Sequence, residues 1–500
     1  MEALHFFVAL IQVPAIIVGL IALVGLVVQR KPLGDTVAGT IKTVLSMLII
    51  AGGITVLTTA LGPIQLMFEN SLPTGGIQTF VTFDEGVVSA VQTENVANIG
   101  MLIGLTLLFG YAFHLFLARV TKARFVYLTG HMIWVHAGAF AILFHSLGFG
   151  PVATVVLASL LDGAYMTFAP AIAQPFMRKI TGRDDIAFGH GQTLLNVLGA
   201  LVGRAIGNPK KSTEDIKVPE KLNFFRDIAV STSIVMTIVA FAAAIAALIQ
   251  LGTTGFAEEI SDGENWAVFT LLAALGFTAG MLILLYGVRM LIAEIVPAFE
   301  GIARKLIPNA KPALDVPVIF AFAPNALIIG LIAGVLGQLA GMALLAGIGW
   351  PVPIPSMIAA FFACGAAAIF GNATGGRVGA WAGGFLWGFL GWILISYAYK
   401  FEIFGDLTAM GALGLGFTVP DAIVPAIVLD GVARIFGAGG GIAAAALTVA
   451  AVAAATVTAI VWKPKSTETA ETAEPAVESA ESDAGASTEE SAEKSISKDD

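Results

Sequence analysis

Few side chains in this sequence can do chemistry, and most of them sit where so apolar a chain should carry none. Asp315 lies between the basic, proline-marked stretch ending at Lys311 and a long apolar run, and Asn325 follows Pro324 inside that run. His131 and His136 occur in LTGHMIWVHAG, His190 and Gln192 in FGHGQ, and Asp162 in LLDGAYM. A carboxylate at bilayer depth costs roughly 2.5–3.5 kcal/mol even on lenient insertion scales, so it persists only if paired or used. Neutral imidazoles and amides exchange hydrogen bonds with hydroxyls without the full cost of burying a charge, which is what a polyol or sugar-acid site requires. Each residue also has a purely structural reading. Asp315 suits a helix N-cap, with Lys305 and Lys311 just before it. His131 and His190 can bond helix to helix instead of a ligand, whereas His136 lies on a different face from His131 and reads as structural. Asp162, with nothing on its own helix to neutralise it, is either a proton-coupling group or an acid paired to another helix.

The elements that must position these residues are membrane helices. Mean hydropathy is +0.88; 57% of the 500 residues are hydrophobic and 12% charged, and apolar stretches of spanning length recur throughout. The fold class is therefore an all-α polytopic membrane protein. About eleven spans are expected, near 5–28, 38–62, 98–119, 126–148, 151–175, 227–251, 266–296, 315–347, 355–372, 378–400 and 440–462. Two regions, 185–204 and 409–436, are too short or too glycine-broken to cross and read as re-entrant hairpins. One in each half suggests inverted repeats of about five helices and a transporter's binding site. The 56 glycines fit close helix packing. Basic residues gather in alternate loops, while the 63–97 and 252–265 loops are acidic with no Lys or Arg, which places the N-terminus outside and the C-terminus in the cytoplasm of a cell-membrane protein. The first span ends in Arg30-Lys31 with no cleavage site, so no signal peptide is expected. Residues 1–462 form the transmembrane domain. The tail from Lys463 carries eleven acidic and four basic residues, −7 of the chain's −9, with no aromatic residue, and is expected to be disordered. Cys364 is the single cysteine, without a partner for a disulfide or thiolate metal site. No metal, cofactor or nucleic acid is expected.

Five blocks in order carry a resemblance: KPLGDTVAGTIKT (31–43), LTGH (128–131), FGHGQ (188–192), STEDIKVPEKLNFFRDIAVSTSIVMTI (212–238) and GVRMLIAEIVPAFEGIARKLIPNAKPALDVPVIFAFAPNA (287–326). Together they resemble the L-ascorbate permease family, the enzyme IIC component of a bacterial phosphotransferase system. The resemblance implies a homodimeric carrier with a scaffold and a moving core, working by elevator-type alternating access. It implies a sugar acid or related polyol entering from outside and phosphorylated by a separate cytoplasmic IIB, itself charged by IIA. The chain has no soluble domain for that chemistry, so any phosphoryl transfer belongs to these partners; the rival reading is a proton-coupled or facilitative transporter on the same scaffold. Of the family's substrate contacts, Thr82, His131, His190 and Asp315 match, and the backbone near Gly53 lies where the family packs on its ligand. Four positions depart: Val135 and Gly191 stand where the family has glutamines, Phe83 where it has tyrosine, and Ile54 where it has serine. Gln192 is the candidate replacement for one missing amide. Each lost polar contact costs on the order of 1–3 kcal/mol of ligand binding, so the ligand is expected to differ from ascorbate in size or hydroxylation.

Overall fold

In hydrocarbon a backbone must satisfy its own polar groups, and a helix does so within one segment. The structure, a computed structural model, follows that rule almost throughout; it describes residues 13–461 apart from 71–77, 95, 217–226, 321 and 357. The start of the first expected span and the acidic tail lie outside the described residues. The elements are α1 (Pro14–Val28), α2 (Leu33–Glu69), β1 (Thr79–Thr82), α3 (Asp84–Glu94), α4 (Ile99–Val120), β2 (Phe125–Tyr127), α5 (Gly130–Ser146), α6 (Pro151–Thr181), β3 (Ala187–Phe188) and α7 (Thr193–Ile206). They continue with α8 (Ile228–Glu259), α9 (Trp266–Leu306), β4 (Lys311–Leu314), α10 (Pro317–Phe320), α11 (Pro324–Gly347), β5 (Val352–Pro353), α12 (Gly365–Lys400), β6 (Leu415–Gly416), α13 (Pro420–Phe436) and α14 (Gly440–Val461). Among the described residues six stretches are long and apolar enough to span a bilayer: Ile99–Val120, Pro151–Thr181, Met236–Glu259, Pro324–Gly347, Ala359–Lys400 and Pro420–Val461. Two of these are folded further. Gly376 has φ +60° inside α12, and Gly437 has φ +53° between α13 and α14, a left-handed conformation that glycine adopts without the Cβ penalty.

The same order of elements runs twice. Two helices, a strand, a short helix, a long helix, a strand, two helices, a strand and a helix fill α1 to α7; α8 to α13 repeat that order, with α12 counting as two helices because it breaks at Gly376. The strands interleave the two halves. β1 pairs in parallel with β5 and β6, and β4 pairs in parallel with β2 and β3, so each half lends its first strand to the other half's pair. Helices α1, α2, α8 and α9 pack mainly on one another, apart from the strand-bearing remainder.

Glycine brings the remainder together. The arms of α12 lie side by side, with Gly371 against Gly379 and Gly383 against Ala367, and α7 sits in their groove with Gly199 and Gly203. Added Cβ atoms there would strike backbone: at Gly203 one would lie 2.8 Å from the Gly371 carbonyl oxygen. On either side are apolar clusters, one including Val88, Phe140, Trp387 and Val419, the other Phe188, Val316, Phe320 and Phe370.

Two expectations are corrected here. The stretch 315–347 is not one helix, because β4 extends to Leu314, α10 is a single turn, and α11 begins only at Pro324. Pro324 therefore opens a helix, where its missing N–H costs nothing, and does not kink one. Asn325 correspondingly leaves the ligand-site reading: its amide donates to the carbonyls of Thr213 at 3.1 Å and Ile216 at 3.3 Å, tying down the 207–216 loop.

Candidate functional site

Three parallel strands aim three side chains at one point. β2 and β3 flank β4, and the ladder continues past the strands through Leu128 N–H to the Ala313 carbonyl at 3.0 Å and Gly189 N–H to the Leu314 carbonyl at 2.8 Å. The Thr129 hydroxyl donates to the Gly189 carbonyl, locking the ends of β2 and β3 together. His131, His190 and Asp315 each follow these strands within a few residues, so the sheet delivers them to the same place. His190 Nε2 lies 3.7 Å from Asp315 Oδ1, and the rings of His131 and His190 have centroids 5.8 Å apart. His190 and Asp315 are each 7% exposed. Glu85, in the first turn of α3, is close enough to interact electrostatically with both His131 and Asp315.

The cluster leaves hydrogen-bonding capacity unused. At 3.7 Å the His190–Asp315 contact is too long for a hydrogen bond. Asp315 Oδ1 accepts the neighbouring Val316 N–H at 2.7 Å, while His190 Nδ1 is buried without a partner among the described residues. The Thr82 hydroxyl, Gln192 Oε1 and both side-chain polar atoms of Asn196 are likewise buried and unpartnered. Buried polar groups are rarely left so in folded proteins. His131, His190 and Asp315 also offer one ligand atom each within 4.8 Å of one another, a spacing that a divalent cation can bridge.

Helix starts converge behind these residues, and carboxylates meet them. Asp421, at the start of α13, accepts the Thr193 N–H at 2.7 Å and the Leu194 N–H at 2.8 Å, capping α7. Asp84 accepts the Thr418 N–H at 2.6 Å and the Val419 N–H at 3.2 Å at the approach to α13. The Tyr165 hydroxyl lies 2.9 Å from the His190 carbonyl oxygen and 2.8 Å from Asp421 Oδ2, fixing the His190 loop from behind.

The other expected residues fall in several places. Thr82 ends β1, 9% exposed, next to the α3 turn that carries Glu85. Gln192 is buried at the start of α7. Gly53 is buried in α2, whose main contacts are with α9, α1 and α8. The His136 Nδ1 bonds the Met132 carbonyl at 2.8 Å and its ring centroid lies 4.3 Å from that of Tyr165, while its Nε2 is buried with no partner among the described residues. Asp162 is fully buried in α6 against Gly110 of α4, and among the described residues neither carboxyl oxygen has a hydrogen-bond partner, so no pairing to another helix is seen there.

Three of the four departing positions can be placed in the packing, while the side chain of Ile54 lies outside the described residues. A Cβ on Gly191 would lie 2.6 Å from Val419 Cγ1 and 3.0 Å from His136 Nε2, so a glutamine has no room. Val135 is wholly buried in the larger apolar cluster, and Phe83 packs over Gly86 without a hydroxyl to offer. Sequence reading missed Glu85, Asp84, Asn196 and Asp421. The adjacent acids Asp84 and Glu85 were hidden by being counted with an acidic surface loop. Asn196 lies one helical turn beyond Gln192, on the same face, and that spacing was a usable signal.

Comparison with known proteins agrees with this architecture. Residues 9–422 match the family described as the sugar-specific permease component of the phosphotransferase system. The ascorbate-specific phosphotransferase-system EIIC component of Mycoplasma pneumoniae is 27% identical over 428 residues, covering 77% of this chain and 65% of that protein. The chain thus spans less than two thirds of that relative's length. The long apolar helices and a family match across most of the sequence lead to one conclusion: this multi-pass membrane chain belongs to the sugar-specific permease component family of the phosphotransferase system.

Proposed function

We propose that the chain is the membrane permease subunit of a phosphotransferase system, carrying a sugar acid such as L-ascorbate or a related polyol into the cell. The observation that carries this reading is the meeting of His131, His190 and Asp315 at the ends of three strands, with unpartnered polar atoms on His190, Thr82 and Gln192. In this reading His131, His190 and Asp315 orient ligand hydroxyls, Thr82 and Gln192 add one bond each, and Gly53 approaches from the other side. The twice-repeated order is an inverted repeat, and β3–α7 and β6–α13 are re-entrant hairpins. Helices α1, α2, α8 and α9 act as a dimeric scaffold along which the strand-bearing core moves as an elevator. The N-terminus is external and the tail cytoplasmic, where IIB, recharged by IIA, phosphorylates the sugar. Phosphorylation makes uptake one-way because the added dianion cannot re-enter the site. Membrane vesicles test the proposal: uptake of a sugar acid or polyol should require phosphoenolpyruvate and the soluble partners.

One observation favours a second reading, proton-coupled transport without phosphorylation. Asp162 is an acid with neither oxygen bonded, buried between α4 and α6, where a group that exchanges a proton during transport can sit. Collapse of uptake by a protonophore, and loss of that sensitivity in Asp162→Asn, would support it against the first.

A further inference from the structure

The duplicated order of elements produces a matched pair of pockets, one at the start of each three-stranded sheet. Where β4 begins, Asn309, Lys311 and the loop Arg183–Asp185 surround a hollow. Where β1 begins, Gln78 borders another of about 310 Å³, together with Trp350 before β5 and Tyr399, Lys400, Glu402 and Asp406 on the way to β6. The match follows from topology, because β1 stands to β5 and β6 as β4 stands to β2 and β3. The α12 arm runs about 35 Å from Arg377, which bonds the Ser212 carbonyl, to Lys400. The β1 pocket therefore opens on the face away from the 207–216 loop.

The two pockets use their charges differently. At β4, Lys311 pairs with Asp184 at 2.7 Å and Arg183 pairs with Asp185, so the chain neutralises itself. At β1, among the described residues, no ion pair joins Lys400, Glu402 or Asp406. Lys400 Nζ lies 5.6 Å from the Trp350 ring centroid, and Asp406 Oδ1 accepts the Ala409 N–H at 2.9 Å. The Tyr399 hydroxyl accepts one long bond, from Gln78 Nε2 at 3.4 Å, while its ring stacks on Phe80 of β1 at 3.9 Å. Glu402 follows the C-cap of α12 with φ +49°, and the N–H groups of Glu402 and Ile403 close the helix on the carbonyls of Tyr399 and Ala398 at 3.3 and 3.0 Å. Glycine usually fills that left-handed position. A glutamate there accepts backbone strain and sets a carboxylate at the pocket.

We infer that the β1 pocket is a second binding site, apart from the cluster at the three strand ends, and that it takes a sugar or polyol. Glu402 and Asp406 accept the ligand's hydroxyls, Lys400 and Gln78 donate to its oxygens, and Trp350 supplies an apolar wall. This rests on the permease reading, in which the pocket is the capture site at the outer mouth. β1 leads from Gln78 there to Thr82, whose hydroxyl is buried and unpartnered. Water competes for the exposed groups, so they hold the ligand more weakly than the buried cluster does.

Thr408 borders the pocket and Cys364, the single cysteine, is fully buried, so Thr408→Cys provides one accessible thiol. Its alkylation by a bulky maleimide is followed on the purified full-length chain carrying His190→Ala and Asp315→Asn, which disable the strand-end cluster. Xylitol, D-sorbitol, D-glucose and L-ascorbate are the probes, each titrated to its solubility limit. At least one should slow alkylation, by roughly threefold at twice its dissociation constant, and adding Glu402→Gln with Asp406→Asn should abolish the protection. Should the His190→Ala, Asp315→Asn background not fold, Thr408→Cys in the otherwise intact chain serves. Glu402→Gln with Asp406→Asn must then remove protection while thermal stabilisation by the same probe persists. Protection by no probe, or protection that survives Glu402→Gln with Asp406→Asn, overturns the second site. If vesicles still take up a probe with phosphoenolpyruvate and the soluble partners, the permease reading stands without it; no protection together with no uptake of any probe overturns both.

Discussion

Asp315 and His190 face each other at 3.7 Å with neither satisfying the other, and that unmet bonding is what the proposed ligand would fill. Loss of either side chain should remove ligand bonds worth about 1–3 kcal/mol each. His190→Ala and Asp315→Asn should therefore weaken binding roughly 5- to 150-fold, with little change in the melting temperature of the ligand-free protein. Titration of ligand-induced stabilisation reads this. Gly191 shows the converse, a position set by packing. Gly191→Gln, which restores the family's residue, should destabilise the protein by about 1–3 kcal/mol through overpacking, because its Cβ meets Val419 and His136; thermal unfolding without ligand measures it. The histidines and Asp315 were legible from the sequence because polar residues are scarce there and the family blocks surround them. Glu85 was not, because its relation to His131 depends on β1 reaching across to the other half's strands.

At the scale of elements, helix starts are held by side chains from a different part of the chain. Asp421 caps α7 from 227 or more residues away. Asp421→Ala should cost about 1–3 kcal/mol, since it leaves buried N–H groups of Thr193 and Leu194 unsatisfied. It should also loosen the His190 loop, visible as faster amide exchange at 190–195. No local pattern announces such a cap, so sequence reading found the break at 185–204 but not its partner. The same blindness explains the misplaced 315–347 span. Its apolar composition suits one helix, yet after β4 ends at Leu314 the chain makes only the single turn Pro317–Phe320 before the helix starts at Pro324. In contrast, the division of 355–400 into two segments was legible, since glycines dominate the turn and Gly376 adopts φ +60°. Gly203→Ala should destabilise the α7–α12 contact, because the added methyl meets the Gly371 carbonyl oxygen at 2.8 Å.

Across the whole molecule, an order of elements repeated twice, with strands exchanged between halves, places the site where the two halves meet. The repeat could only be guessed from sequence because it survives as topology, β1 matching β4 and β2 matching β5, while the residues at those places differ. Beyond the apolar helices, a polar cluster ties β4 to the end of α6. Asp184 bonds Arg178 at 2.6 Å, Lys311 at 2.7 Å and Gln174 at 3.0 Å. Partial burial works against its charge, yet these partners hold the Asp184 carboxyl down at about 2, below the ordinary 3.8. A depressed carboxyl stabilises the fold fully above its unfolded value and loses that contribution as pH falls through the folded one. Stability should therefore decline between about pH 4 and pH 2, and Asp184→Asn should flatten that part of the curve, by a modest amount because the group is half-exposed.

The central claim is that side chains delivered by three strand ends hold one hydroxylated ligand. The most direct measurement is a binding titration of a stabilising sugar or polyol against the intact protein, Asp315→Asn and His190→Ala, all confirmed folded. The account predicts saturable binding to the intact protein and its loss or severe weakening in both variants. Undiminished binding in both would contradict it and place the ligand elsewhere.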